Sequence, residues 1–149
     1  MIASKNCINL IKMFEGYKAK AYLCPANVPT IGFGSTMHKD GRKVKLSDTI
    51  NEDQAEELLM WELKNKSNAL YGLILNQNQF DSILSFVYNL GIGAFANSTL
   101  RKKILANPDD PSIKAEFMRW NKARVGGEFM VLKGLTRRRE AEAELYFKK

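Results

Sequence analysis

The pattern of hydrophobic and polar positions changes character twice along the 149-residue chain. Residues 4–14 place apolar side chains at helical spacing, with Ser4 as the predicted N-cap and Gly16 as the predicted left-handed residue after the helix. Residues 17–46 alternate instead from one residue to the next and contain a proline-bracketed turn. From Ser47 on, the whole pattern is helical. The chain is therefore predicted to have an α+β fold.

The helical part after Ser47 divides into five predicted segments. Capping residues, apolar stripes and glycine or proline stops set their limits. The segments run from Asn51 to about Leu75, from Phe80 to Leu90, from Thr99 to Ala106, from Ser112 to Lys122, and from about Thr136 to Phe147. Gly126-Gly127 is interpreted as a loop between the last two.

The stretch 17–46 is predicted to form a three-stranded antiparallel sheet, which is too small to be stable alone. We therefore expect a single domain over 1–149, with a β lobe over about 15–47 and a helical lobe over 1–14 and 48–149. The sequence contains no repeat, low-complexity segment or linker that would indicate a second domain.

Charge narrows the possible partners more than composition does. The chain has 23 Lys and Arg against 16 Asp and Glu, a net charge of +7, which favours polyanions such as nucleic acid, anionic lipid or an acidic wall polymer. Two cysteines are too few for a disulfide framework. The N-terminal stretch lacks the features of a signal peptide, and no apolar run is long enough to span a bilayer. We therefore expect synthesis in the cytoplasm and no stable membrane insertion.

Three side chains near the predicted sheet are candidates for acid–base chemistry. Glu15 ends the first helix, where the helix dipole disfavours a charged carboxylate and so favours a general acid. Cys24 and Thr30 lie on either side of the turn, and facing side chains come within about 5 Å, so both could reach one water. Spacing alone leaves the ordinary interpretations open: a solvated glutamate, a buried cysteine and a strand-forming threonine.

Cys7 and His38 are the remaining residues with reactive or metal-binding side chains of interest. Cys7 lies two helical turns before Glu15, about 12 Å away, and is interpreted as a core cysteine. The alternative is a disulfide with Cys24 that would block the site. His38 is the only histidine, and one histidine makes no metal site, so no metal or cofactor is expected.

An ordered set of short motifs runs through almost the whole chain. It begins with Glu15-Gly16, Ala21-Tyr22 and the stretch Thr30-Ile31-Gly32-Phe33-Gly34-Ser35-Thr36. It continues with Ser85 to Gly91, Phe95, Ser98 to Leu100, Trp120, Gly134-Leu135, and Arg138-Arg139 with Glu142. In this order the motifs resemble those of the phage-type lysozymes, glycoside hydrolase family 24, which are endolysins that cleave peptidoglycan.

The resemblance implies a lysozyme-like architecture with the active-site cleft between the β lobe and the helical lobe. The family pattern has a Glu, then an Asp or in some members a Cys, then a Thr, and these positions are Glu15, Cys24 and Thr30 here. Glu15 would be the general acid, and Cys24 and Thr30 would hold or activate the attacking water, unless Cys24 is itself the nucleophile. Inversion and retention both stay open.

The resemblance also implies a set of substrate-binding or site-bracing residues, namely Arg138, Asn89 and Gly34. Arg138 would pair with the catalytic glutamate. A run of three arginines is ordinarily solvated, so we expect at least two of residues 137–139 to face water. Ser35 stands where many family members carry histidine.

The expected function is that of a muramidase, which cleaves the β-1,4 bond between N-acetylmuramic acid and N-acetylglucosamine during bacterial lysis. The expected protein is a monomer that binds peptidoglycan strands. Nucleic acid is not an expected partner, because the sequence has no Gly/aromatic RNA-binding signature and no convincing helix-turn-helix. The family implies a protein made in the host cytoplasm that reaches the cell wall or periplasm through a separate membrane-pore protein. The alternative is a non-catalytic basic protein that binds cell wall or nucleic acid, which would explain the charge but not the spacing of Glu15, Cys24 and Thr30.

Overall fold

Seven α-helices and two small antiparallel sheets make up the computed structural model, which describes residues 1–149. The helices are α1 (Lys5–Glu15), α2 (Glu52–Lys66), α3 (Gln77–Leu90), α4 (Ile92–Ala96), α5 (Thr99–Ala106), α6 (Ile113–Met118) and α7 (Lys133–Phe147). The strands are β1 (Lys18–Leu23), β2 (Pro29–Gly32), β3 (Lys122–Val125) and β4 (Glu128–Val131). The predicted α+β class is confirmed.

The chain forms two compact units. The sheet unit comprises Ile8–Asn65, and the helical unit comprises Met1–Cys7 together with Lys66–Lys149. None of the helices combines the length and the apolar character that crossing a membrane requires.

The sheet of the sheet unit has two strands and not the three that the sequence predicted. β1 and β2 pair antiparallel, and the residues after β2 form only isolated bridges, of Ser35 with Ile31, of Met37 with Lys43 and of Thr49 with Lys20. The segment after β2 closes on itself, since the His38 N–H donates to the Arg42 carbonyl at 2.8 Å. The backbone groups of residues 36–44 are thus used in a local turn, and it is Asp48 and Ile50, beyond the predicted sheet, that hydrogen-bond to the backbone of β1.

A small hydrophobic cluster supports this hairpin. Ala21, Ile31 and Val44 are buried together, and Ile50 packs against them. Gly32 has a φ of +66°, and a Cβ added there would lie 3.1 Å from the Cβ of Ala55. β2 therefore approaches α2 closely at a position that suits only glycine.

The end of α1 is fixed by contacts within the sheet unit. Gly16, with a φ of +68°, donates its N–H to the Lys12 carbonyl at 3.0 Å, which confirms the predicted helix end. The Lys12 ammonium lies 2.6 Å from the Glu56 carboxylate and 5.2 Å from the centre of the Phe33 ring. These contacts tie the last turn of α1, which carries Glu15, to α2 and to the residue that follows β2.

The helical unit is built around α3. Asn76 and Gln79 form a complete capping box at its start, three residues before the predicted helix. Nine consecutive residues of α3, from Gln79 to Val87, are buried. Edge-on aromatic contacts surround Phe86 at 5.7–6.1 Å, from Phe95, Phe117 and Trp120.

Two predicted helical segments are shorter than the sequence indicated. α2 ends at Lys66, and a short 3₁₀ helix, Ser67–Leu70, follows where the prediction extended it to about Leu75. Gly72, with a φ of +85°, turns the chain there. α6 ends at Met118 and not at Lys122.

The β3–β4 hairpin was missed by the sequence analysis, which had only a loop at Gly126-Gly127. The four pairs of the hairpin run from Lys122 with Val131 to Val125 with Glu128. Gly126 and Gly127 both have positive φ, at 60° and 85°, as a two-residue hairpin turn requires. α7 then begins at Lys133, three residues before the predicted start.

Candidate active site

The turn between β1 and β2 is closed by its own backbone. The Cys24 N–H donates to the Val28 carbonyl at 3.1 Å, and the Asn27 N–H donates to the Cys24 carbonyl at 2.8 Å. Asn27 has a φ of +62°, a left-handed conformation that asparagine tolerates better than most residues. Cys24 therefore sits at the base of an ordered turn.

Cys24 and Thr30, predicted to act together, are brought together across this turn. Thr30 is close enough to Cys24 to help lower the pKa of its thiol, and the Thr30 hydroxyl donates to the Val28 carbonyl at 2.9 Å. A backbone hydrogen bond from Val28 lowers the pKa of the Cys24 thiol most, and further hydrogen bonds from Ala26 and Thr30 add to this against partial desolvation. Because hydrogen bonds to the thiolate favour that form, Cys24 is equipped to act as a base or nucleophile.

Tyr22 is a third member of this site, and the sequence analysis gave it no role. It lies on β1 directly opposite Thr30. Opposite residues in an antiparallel pair share one face of the sheet. Partial burial raises the pKa of Tyr22, and the negative charges of Glu15 and Cys24 raise it further. One phenol is thus within electrostatic reach of both the candidate acid and the thiol.

Glu15 is the last residue of α1 and is half-buried. The next side chain, Tyr17, is fixed, because its hydroxyl donates to the Ile50 carbonyl at 2.7 Å and its ring lies 5.8 Å from that of Phe33. Together with the Lys12 contacts, this holds the chain on both sides of Glu15. The geometry suits a general acid, which must keep a fixed position relative to the bond it protonates.

Gly34 lies in a tight turn after β2. It has a φ of +94°, and the Ile31 N–H and the Ser35 N–H each donate to the other residue's carbonyl, at 2.8 and 2.9 Å. The Ser35 hydroxyl is buried in this turn without a hydrogen-bond partner. Gly34 therefore shapes the backbone after β2.

The basic run on α7 differs from the expectation that at least two of its arginines are solvated. Arg138 is 3% exposed and Arg139 is 0% exposed, whereas Arg137 faces water. The Arg138 Nη2 donates to the Ser85 carbonyl at 3.3 Å, and the Arg139 Nη2 donates to the Asn89 Oδ1 at 2.8 Å. Asn89, predicted as a site residue, thus holds an arginine of α7.

Glu142 supplies the negative charge that these two buried arginines face. It is fully buried, and its Oε2 accepts a hydrogen bond from the Ser85 hydroxyl at 2.7 Å and lies 3.4 Å from the Arg138 Nε. Its Oε1 lies 2.7 Å from the Arg139 Nε without hydrogen-bond alignment, so this contact is an ion pair. Burial raises the pKa of Glu142, and both arginines and Ser85 act in the opposite direction.

The signal for this cluster was present in the sequence. Glu142 follows Arg139 by three positions and Arg138 by four, the spacings at which side chains meet on a helix. A run of arginines with a glutamate at these spacings is compatible with a buried ion-pair cluster as well as with a solvated face.

Cys7 and Cys24 are both free thiols, so the structure does not contain the disulfide considered from the sequence. Cys7 is completely buried, as the core interpretation predicted, and burial raises the pKa of its thiol, with the charges of Asp81 and Glu142 adding to the effect. His38 pairs with Asp48 at 2.9 Å. The structure has no cluster of three His, Cys, Asp or Glu side chains placed to hold a metal.

Comparisons with known proteins agree on one class. The family model described as phage lysozyme matches residues 12–142. The chain is 40% identical over 149 residues to an endolysin of Acyrthosiphon pisum secondary endosymbiont phage 1, covering 98% of each chain. It is 36% identical over 126 residues to an endolysin of Salmonella phage P22, covering 83% of this chain and 86% of that one.

A solved structure extends the likeness to the fold. An endolysin from Escherichia coli O157:H7 phage FAHEc1 superposes with a TM-score of 0.89 at 34% identity, over 99% of this chain and 94% of that one. Fold and sequence matches together define a glycoside hydrolase of the lysozyme class. The chain belongs to the phage lysozyme family, as the motifs had indicated. The alternative of a non-catalytic binding protein is not favoured.

Proposed function

We propose that this protein is a muramidase that hydrolyses the β-1,4 bond between N-acetylmuramic acid and N-acetylglucosamine in peptidoglycan. The observation that carries the proposal is the pairing of Cys24 with Thr30, in which hydrogen bonds lower the thiol pKa. This pair belongs to the same compact unit as Glu15. A glycosidase needs an acid for the leaving group and a base or nucleophile for the anomeric carbon, and these residues supply both.

The reaction begins with proton transfer from the Glu15 carboxyl to the glycosidic oxygen, as the bond from that oxygen to the anomeric carbon breaks. A water attacks the anomeric carbon from the other side and gives its proton to the Cys24 thiolate. Thr30 orients this water through its hydroxyl. Exchange with solvent then returns a proton to Glu15 and removes one from Cys24.

A thiolate is also a good nucleophile, so direct attack by Cys24 is the second route to the same products. It would form a thioglycosyl intermediate, which water hydrolyses with Glu15 acting as the base. The two routes differ in stereochemistry, because direct attack retains the anomeric configuration and water attack inverts it. Proton NMR of the first-formed anomer separates them.

Arg138, Asn89 and Gly34 are proposed as bracing residues. Arg138 acts as a brace within the helical unit, and the support is that Ser85 and Glu142 hold its guanidinium in place. Asn89 acts through Arg139, to which it is hydrogen-bonded. Gly34 acts through the backbone turn after β2.

The test is loss of turbidity from a suspension of purified peptidoglycan. Wild type should clear it, and Glu15→Gln should be slower by a factor of about 10² or more, since general acid catalysis contributes roughly that much. Glu52→Gln, at an exposed position on α2, is the matched control and should clear as wild type does. Equal clearing by wild type and Glu15→Gln would sink the assignment of Glu15 as the acid.

The bond cleaved is identified from the new reducing ends. Borohydride reduction of the products should convert N-acetylmuramic acid to its alditol, because a muramidase leaves that sugar at the reducing end. Recovery of the glucosamine alditol instead would show cleavage of the other glycosidic bond and overturn the muramidase proposal.

We also propose that the protein acts as a monomer on the cell wall after a separate pore-forming protein has opened the membrane. The support is membership in a family whose relatives are named endolysins. Expression in the cytoplasm should leave cells intact until a pore-forming protein is co-expressed. Lysis without the pore protein would contradict this release route.

A further inference from the structure

The β3–β4 hairpin exposes apolar side chains together with cations. All four residues of β4 are exposed, with Phe129 at 65% and Val131 at 58%. A two-stranded hairpin is marginally stable in water, and a phenylalanine that stays 65% exposed buries little apolar surface to stabilise it. An exposed combination of this kind is typical of a binding surface.

One face of the hairpin concentrates these features. The pairing places Lys122 opposite Val131 and Arg124 opposite Phe129, so these four side chains share a face. The Arg124 guanidinium lies 5.6 Å from the centre of the Phe129 ring, and its Nη1 donates to the Gly127 carbonyl at 3.3 Å. The cation and the ring are thus held side by side and need little reorganisation to bind a ligand.

We propose that this face, formed by Lys122, Arg124, Phe129 and Val131, is an accessory peptidoglycan-binding surface. The inference rests on the proposed muramidase function, which supplies the ligand. Phe129 would lie against the apolar face of a sugar ring, while Lys122 and Arg124 would pair with carboxylates of the peptide stems. The surface adds affinity for the polymer without touching the bond that is cleaved.

The charge of the face favours peptidoglycan over an anionic membrane. Segments that bind lipid by charge carry clusters of about four to eight Lys or Arg. This face has two cations, and Glu128 adds a negative charge beside the turn. Two spaced cations beside one aromatic ring suit a ligand with alternating carboxylates and sugars better than a continuous anionic surface.

The experiment measures binding to purified, insoluble peptidoglycan in a Glu15→Gln background, so that the ligand is not consumed. Arg124→Ala/Phe129→Ala should bind about tenfold more weakly, because an exposed ion pair and an exposed ring each contribute a factor of about three. Lys102→Ala/Leu105→Ala is the matched control, since it removes an exposed cation and a 51% exposed apolar side chain from α5. The control should bind within about twofold of its parent.

A second variant tests whether weaker binding could come from unfolding of the hairpin and not from the lost side chains. Lys122→Glu reverses one charge and keeps a long side chain, so it should weaken binding while the melting temperature stays unchanged. Binding like that of the parent by both hairpin variants, or an equal loss in the α5 control, would overturn the inference. So would a hairpin-dependent loss of binding to phosphatidylglycerol vesicles with binding to peptidoglycan intact, which would identify a membrane surface instead.

Failure of this inference is distinguishable from failure of the proposed function. If wild type cleaves peptidoglycan and the hairpin variants bind it as the parent does, the muramidase proposal stands and the accessory surface is wrong. If wild type binds through the hairpin but cleaves nothing, the accessory surface stands and the muramidase proposal is wrong.

Discussion

The turn that carries Cys24 and the cluster around Glu142 both stabilise ionisable groups, but by opposite means. At the turn, backbone hydrogen bonds lower the pKa of a half-exposed thiol. In the cluster, burial raises the pKa of Glu142, and two arginines and a serine hydroxyl are needed to oppose it. The first arrangement leaves the sulfur accessible to a substrate, and the second encloses the charge completely.

This difference distinguishes a side chain that serves the reaction from side chains that stabilise the fold. An accessible thiolate held by backbone N–H groups contributes little to folding, so its replacement should affect activity alone. An enclosed carboxylate compensates two buried cations, so its replacement should affect folding first.

The largest expected effect is on stability, from Glu142→Gln. This substitution keeps the shape of the side chain but leaves Arg138 and Arg139 without a counter-charge, which should cost about 3–5 kcal/mol of unfolding free energy. Urea denaturation measures it. Glu144→Gln, on the exposed side of α7, is the control and should change stability by less than about 0.5 kcal/mol. Equal stability of Glu142→Gln and wild type would mean that Glu142 is protonated in the fold.

Next in size is the effect of Cys24 on turnover. Cys24→Ala should reduce peptidoglycan clearing by a factor of about 10², as expected for loss of a general base, with the unfolding free energy unchanged. Cys24→Asp should retain most of the activity if Cys24 acts on water. Mass spectrometry of a wild-type sample quenched during turnover should then show no sugar adduct. Loss of activity in Cys24→Asp together with such an adduct would favour the nucleophilic route.

A smaller effect separates the two cysteines directly. Alkylation requires the thiolate, so the rate rises with pH and levels off above the thiol pKa. Because the pKa of Cys24 is lowered and that of Cys7 is raised by burial, Cys24 should react with iodoacetamide at a pH below that of an ordinary thiol, while Cys7 stays unmodified in the folded protein. Peptide mass spectrometry gives both rates.

Thr30→Val sharpens the alkylation experiment. It removes one of the hydrogen bonds that lower the pKa of Cys24, so the midpoint of the rate profile should move to higher pH. A midpoint that stays in place would show that the backbone of the turn alone sets the thiol pKa.

Much of the helical framework was predictable from sequence because local signals decide it. Gly16 ends α1, Asn51 and Gln54 exchange hydrogen bonds at 2.7 and 3.1 Å before α2, and Ser98 caps α5. Each of these depends on residues within one helical turn. The phage lysozyme assignment was also predictable, since its motifs are short and ordered along the chain.

The features that were not predicted from the sequence depend on strand pairing between more distant residues or on burial. The β3–β4 hairpin had a signal in Gly126-Gly127 between short runs of strand-forming residues, but these glycines were interpreted as a loop between two helices. Burial of Arg138 and Arg139 depends on whether they contact Glu142 inside the protein. Their spacing of four and three positions before Glu142 is compatible with such a contact but does not require it. The position of Tyr22 opposite Thr30 depends on the register of the hairpin, which the turn geometry sets.

The smallest expected effect is on Tyr22, whose titration tests whether the thiolate of the Cys24 turn is charged and close to this phenol. The negative charge of Cys24 is one of the causes that raise the pKa of Tyr22, after burial and the charge of Glu15. Cys24→Ser removes this charge, so the pKa of Tyr22 should fall, and NMR of ring-labelled tyrosine measures the titration. Cys7→Ala, which removes the enclosed thiol, should leave the titration of Tyr22 unchanged. If Cys24→Ser leaves it unchanged as well, the thiolate does not act on the phenol, and Tyr22 would have to be removed from the site.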